Sequence, residues 1–164
     1  MSLDILEVAV KGLTFDPITN VPIVILKDVS GSRLLPIWIG VFEANAIALE
    51  MEKVETPRPM THDLLMNSFD IMKGKMDRVV VDNLRDNTFY ATIYFSFEGE
   101  TMQLDSRPSD AIALALRAGV PIFVTQDVMS RAQSFDLDEG LGEKEDWQRW
   151  LARITPEDFK RYQS

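Results

Sequence analysis

The chain has no cysteine and only one histidine in its 164 residues. The first absence excludes disulfides, thiolate nucleophiles and cysteine-ligated zinc, and says little about compartment. The second means that any imidazole chemistry must fall on His62. No window approaches about 18 consecutive apolar residues, so no membrane-spanning helix is expected. The opening MSLDILEVAV has neither a basic start nor a small-residue cleavage site. No secretory signal is therefore read, and a cytoplasmic location is the expectation. The phosphate-binding loops G-x-x-x-x-G-K-[ST] and G-x-G-x-x-G do not occur. Neither G-x-S-x-G nor H-E-x-x-H occurs, which removes the hydrolase elbow and the zincin helix.

Positive charge is scarce as well. Lys and Arg number 17 against 26 Asp and Glu, a net charge of −9. Residues 1–126 carry −6 of it and residues 127–164 carry −3, so the acidity belongs to the body as much as to the end. An acidic body repels polyanions at long range, so a nucleic-acid role needs a local basic pocket or bound cations. What is present is apolar: 46% of residues, enough for a real core. The length fits one domain with an appendage, a body over 1–127 and an acidic loop with short helices over 128–164.

The body reads as strands joined by tight turns, with helices between them. LDILEVAV alternates and predicts a strand, followed by the turn-rich TFDPITN. PIVILKDV and RLLPIWIG predict a hairpin about Ser30-Gly31-Ser32, and RVVVDNL and TFYATIYFSF another about Asp86-Asn87. TMQLD and PIFV add short strands. VFEANAIALEMEKV predicts a helix with Phe42, Ala46 and Leu49 on its apolar face. THDLLMNSFDIMKG predicts a second, with Leu65, Phe69 and Met72 inward. DAIALALRAG predicts a third, apolar nearly all round and closed by Gly119. The fold class is therefore α+β, a mostly antiparallel sheet with helices inserted between hairpins. Tyr90 and Tyr94 share the polar face of their strand, suited to stacking bases or, as preferred here, to a subunit interface. In the tail, Trp147, Trp150, Leu151 and Ile154 form a stripe that should dock on this domain or a neighbouring chain.

The chemistry concentrates in a local echo. Residues 58–63 read Arg-Pro-Met-Thr-His-Asp and residues 107–110 read Arg-Pro-Ser-Asp. A residue before proline is driven extended, which fixes the direction of Arg58 and Arg107. Thr61 and Ser109 can cap the helices that follow, and Asp63 and Asp110 suit the positive end of a helix dipole. His62 in a first helical turn suits a neutral imidazole, a general base or ligand, or simply a member of the cap network. Asp105 follows Met102 and Leu104, expected in the core, and so points toward the Arg107–Asp110 turn. Asp105 and Asp110 together offer hard oxygen ligands for Mg²⁺ or Mn²⁺, or partners for Arg107. Glu43 begins a third helix, as a dipole partner or a further ligand. If these helix starts converge, they form a cup of carboxylates with two arginines and one imidazole, a shape suited to phosphoryl transfer.

LPIWIGVFEANAIALEME, TPRPMTHDLL, NTFYATIYF and DSRPSDAIALALRAGVPIFV together resemble the bifunctional nuclease domain family, over about residues 3–127. The joint presence of P-R-P-x-T-H-D-L and D-x-R-P-S-D-A-I-A-L-A makes the resemblance specific. It implies an α+β domain, DNase and RNase activity, and assembly as an oligomer, for which the residues offer the sheet face or the C-terminal tail. The family motif falls on Glu43, Arg58, Thr61, His62, Asp63, Asp105, Arg107, Ser109 and Asp110. The expected function is hydrolysis of phosphodiester bonds in DNA or RNA, with a divalent cation. On that reading His62, Asp63, Asp105 and Asp110 are catalytic, and Arg58, Arg107, Ser109 and Thr61 bind substrate. Asp63, Asp105, Asp110 and Glu43 hold metal. The competing expectation is a non-catalytic binding or assembly module in which the Arg-Pro motifs are caps and clamps.

Overall fold

The computed structural model of the protein describes residues 4–132 and 135–136. The two tail helices expected from DWQRWLARI and TPEDFKRY lie outside the described residues. Strands β1 (Ile5–Phe15), β2 (Pro22–Asp28) and β3 (Arg33–Trp38) form an antiparallel meander. Helices α1 (Val41–Met51) and α2 (Thr61–Ile71) then carry the chain to β4 (Lys75–Arg85), β5 (Thr88–Phe97) and β6 (Glu100–Ser106), a second meander. Helix α3 (Pro108–Ala118) leads to β7 (Ile122–Thr125), followed by α4 (Gln126–Arg131) and the two-residue β8 (Phe135–Asp136).

One eight-stranded sheet results, in the order β6-β5-β4-β7-β1-β2-β3-β8. Strand β7 joins the two meanders, antiparallel to β1 and parallel to β4. Every other pairing is antiparallel, so the α+β expectation holds. The parallel pair is possible because α3 supplies the long crossover that such a pairing requires.

Local chemistry explains the turns. Asp86 and Asn87 both take positive φ, 46° and 62°, the conformation that a two-residue hairpin of the right twist demands. Asp28 accepts from the backbone N–H of Ser30 at 3.0 Å and closes the β2–β3 turn. In TFDPITN the carboxylate of Asp16 is buried but fully used. It accepts from Ile18 N–H at 2.8 Å, Thr19 N–H at 3.1 Å and the Trp38 indole at 3.1 Å.

Helix α3 is the keystone. Ala111, Ile112, Ala113, Leu114 and Ala115 are all buried, and the three alanines among them let α1 and α2 lie close against it. Gly119 closes the helix in the left-handed region, at φ 67°, as the sequence predicts.

Three apolar assignments need correction. Phe42 is 88% exposed and belongs to no core face; the buried residues of α1 are Ala44, Ala46 and Ile47. In α2 only Phe69 is buried, while Leu65 and Met72 stay open to solvent. Met102 and Leu104 are 43% and 42% exposed, because β6 is an edge strand with cover on one side only. One helix is added. Thr125 caps α4 by accepting from Val128 N–H at 3.3 Å, and Val128 and Met129 are buried in the same core as the meanders. The core thus runs past residue 127. Among the described residues, no helix is long and apolar enough to cross a membrane.

Candidate functional site

The starts of α1 and α3 and the first turn of α2 meet beside β6. They enclose a hollow of about 640 Å³ whose wall includes Phe42, Glu43, His62, Leu65, Arg107 and Asp110. The residue before Pro108 is extended as expected, at φ −72° and ψ 146°, so Arg107 leaves the chain toward α1. Its Nη2 meets Glu43 Oε1 at 2.8 Å, and its Nε donates to Asp110 Oδ2 at 2.9 Å. The other oxygen of Asp110 lies 2.9 Å from His62 Nε2. Glu43, Arg107, Asp110 and His62 therefore form one continuous chain of charge-assisted contacts across three helix starts. A methyl group on Gly40 would meet the Glu43 carboxylate, so a side chain there would have to push Glu43 aside.

The electrostatics follow from the contacts. The hydrogen bond from His62, aided by Arg107, holds the Asp110 carboxyl below its usual range against the opposing effect of burial. Asp110 and Glu43 raise the affinity of Arg107 for its proton. An ionised carboxylate only accepts, so His62 Nε2 bears the hydrogen and a neutral ring keeps its lone pair on Nδ1.

The first Arg-Pro motif does something else. Asp63 does not line the hollow. Its Oδ1 accepts from Arg117 Nε at 2.7 Å, and its Oδ2 accepts from Met60 N–H at 2.9 Å. Those two bonds lower its pKa, the arginine foremost. Arg117 also donates to the Ala113 carbonyl at 2.9 Å and the Ala46 carbonyl at 3.0 Å, so one guanidinium ties α3 to α1 and α2. Arg58 is exposed on a separate groove beside Asp63, away from the hollow. Sequence reasoning passed over Arg117. Its signal was a lone cation inside ALALRAG, where a buried arginine demands a carboxylate.

The remaining sites divide. Thr61 borders the hollow, but α2 has Met60 as its N-cap, so Thr61 is not the cap. Ser109 is fully buried and its Oγ finds no hydrogen-bond partner among the described residues. It does not cap α3, whose N-cap is Arg107, and at 0% exposure it has no contact with solvent. Asp105 borders the hollow but stands opposite Thr92 in the ladder, on the face of Tyr94. Tyr94 is buried beneath Arg78, whose guanidinium lies 4.2 Å from the ring, while Tyr90 stays partly open near Arg85.

The donor set does not fit a divalent cation as it stands. Glu43 and Asp110 are committed to Arg107 and His62, and Asp63 to Arg117. Among the described residues, no three of His, Asp and Glu gather in a way that could hold a metal ion. A hard cation would first have to displace a guanidinium.

Acid should expose these pairs. An unfolded aspartate titrates near pH ~4, and Asp63 and Asp110 titrate lower in the fold. Between the two values the unfolded chain binds more protons, so acid favours unfolding. The stabilisation is complete above about pH 4 and is lost as pH falls through the lowered values. Urea midpoints should therefore fall steeply below about pH 4, and Asp63→Asn with Asp110→Asn should flatten that acid limb.

A mixed, mostly antiparallel sheet with a histidine–carboxylate–guanidinium hollow at its helix starts defines an α+β domain. The sequence pattern of the bifunctional nuclease domain matches residues 24–136, and the chain belongs to that family. An uncharacterized protein of Mycobacterium tuberculosis (strain ATCC 25618 / H37Rv) is 38% identical over 163 residues, 94% of this chain and 98% of the relative. Bifunctional nuclease 1 of Oryza sativa subsp. japonica is 31% identical over 110 residues, 64% of this chain and 33% of that protein. Bifunctional nuclease 2 of Arabidopsis thaliana is 30% identical over 107 residues, 63% of this chain and 32% of that one. The likeness to the plant proteins thus spans about a third of their length.

Proposed function

We propose that the protein hydrolyses phosphodiester bonds of DNA or RNA at this hollow. The observation that carries the reading is the 2.9 Å contact between His62 and Asp110 in a concave wall shared with Arg107. His62 Nδ1 takes the proton of the attacking hydroxyl, from water or from an RNA 2′-OH, and the imidazolium returns it to the sugar oxygen that departs as its bond to phosphorus breaks. Asp110 holds the ring in that tautomer and stabilises the imidazolium that forms. Arg107, half exposed, turns its uncommitted N–H donors to the phosphate and its developing charge. Glu43 keeps the guanidinium in place. Phe42, Leu65 and Leu104 give the hollow apolar walls on which the face of an unpaired base can lie. The wall of the hollow is not basic overall, so phosphate binding rests on the directed N–H donors of Arg107 and works against the repulsion expected from a chain of net charge −9.

The Asp63–Arg117 pair favours the second reading for the first motif alone, a clamp between helices rather than a site. The test separates the two. Protein freed of host nucleases should cut single-stranded DNA and RNA. His62→Gln should lower the rate by about 10²-fold or more and leave the melting temperature near that of the native chain. Cutting should persist in chelator, because no step draws on a metal. Full activity in His62→Gln would overturn the assignment, and abolition by chelator would return the carboxylates to a metal role.

A further inference from the structure

The two edges of the sheet differ. At one end the edge strand is β8, two residues long. Very short edge strands are a common way to prevent unwanted pairing. At the other end stands β6, seven residues that pair with β5 without a register shift. Among the described residues, its outer row of backbone N–H and C=O groups has no partner strand. It carries no proline, no lysine and no bulge, the devices that normally blunt an edge. Six of its seven residues are exposed, Met102 and Leu104 among them.

We infer that β6 is the seam of a homodimer, in which two copies of this chain pair antiparallel through β6 about Gln103. The sequence ETMQLDS is self-complementary in that register. Gln103 meets Gln103, Met102 meets Leu104, Thr101 meets Asp105, and Glu100 meets Ser106. No residue faces a like charge, and both half-exposed apolar residues face an apolar one. Centring the pairing on Met102 would set Glu100 against Leu104. Centring it on Leu104 would set Glu100 against Pro108, which has left the strand. Only the axis at Gln103 uses all seven residues. It also sets residues of the same face opposite each other, so each face of one copy's sheet continues into the same face of the other. Leu104, Asp105 and Ser106 border the hollow, so each hollow would flank the seam.

The chain's lack of cysteine makes the test direct. Paired residues on adjacent antiparallel strands have Cα atoms about 4.5–5.5 Å apart, within the reach of a disulfide. Full-length Gln103→Cys should yield a covalent dimer on mild oxidation, while Lys11→Cys on the central strand β1 should not. Sedimentation of the unmodified chain should show a concentration-dependent dimer. Gln103→Lys, which sets two ammonium groups face to face on the axis, should be a monomer at the same concentration and melt like the unmodified chain at dilutions where that chain is monomeric. Three results would overturn the inference. One is a dimer that survives Gln103→Lys at full affinity. Another is Gln103→Cys that stays monomeric under oxidation. The third is protection from hydrogen exchange of the outward-pointing β6 amides, those not bonded to β5, at dilutions where the chain is monomeric, which would put a segment of the same chain on this edge.

Discussion

Asp110→Asn should lower the cleavage rate by about 10²–10⁴-fold, with a smaller effect on stability. The carboxylate serves two partners at once, His62 Nε2 at 2.9 Å and Arg107 Nε at 2.9 Å. An amide cannot serve both. If its oxygen faces His62, its NH₂ group meets the Arg107 donor. If it turns over, its NH₂ faces His62 Nε2 and drives the ring proton to Nδ1, the atom that must act as base. In either pose the negative charge opposite the imidazolium is lost. Stability suffers less, because the Asp110 side chain is partly open to water and a partly exposed ion pair contributes little. Glu43→Gln makes the informative contrast. It loosens Arg107 while sparing the His62–Asp110 bond, so it should raise KM more than it lowers kcat. Single-turnover cleavage beside thermal melts would check both variants. Asp110→Asn that cuts at the native rate would leave the hollow without a catalytic role.

Much of the fold was legible because its signals are local. Asp86-Asn87 specifies its own hairpin, Gly119 its own helix end, and the alternation in β5 its own buried row of Phe89, Ala91 and Ile93. Arg107 also behaved locally, since the proline after it fixes its backbone whatever the rest of the chain does. The misassignments all arise where burial depends on distant chain. Phe42 has the spacing of a core residue, yet the helix start it occupies faces the hollow. Met102 and Leu104 alternate like a covered strand, yet among the described residues no strand lies beyond β6 and both stay exposed, at 43% and 42%. The second Arg-Pro motif closed on its own aspartate, three residues on. The first did not, because Arg117 lies 54 residues from Asp63 in sequence and was brought to it by the packing of α3 on α2. Two similar strings thus acquired different duties from their neighbours.

That difference predicts an asymmetry in stability. Asp63→Ala should cost about 3–5 kcal/mol, and Arg117→Met distinctly less, about 1–3 kcal/mol, although arginine is much the larger side chain. The reason is where each charge is left. The Arg117 side chain is 7% exposed and the Asp63 side chain 33%. Removing the carboxylate strands a guanidinium among α1, α2 and α3 with only two backbone carbonyls as acceptors. Removing the guanidinium leaves an aspartate that water can reach and that keeps its bond to Met60 N–H. At about 2–4 °C per kcal/mol for a chain of this size, Asp63→Ala should lower the melting temperature by on the order of 10 °C. The double variant should recover most of that loss, short of about 1 kcal/mol for the missing helix-start bond. Cleavage by the double variant then decides what the motif is for. A clamp needs only the fold, so the rescued protein should cut at nearly the native rate. If melting is restored but cutting is not, Asp63 acts in the chemistry directly, and the two Arg-Pro motifs share a function that their contacts do not disclose.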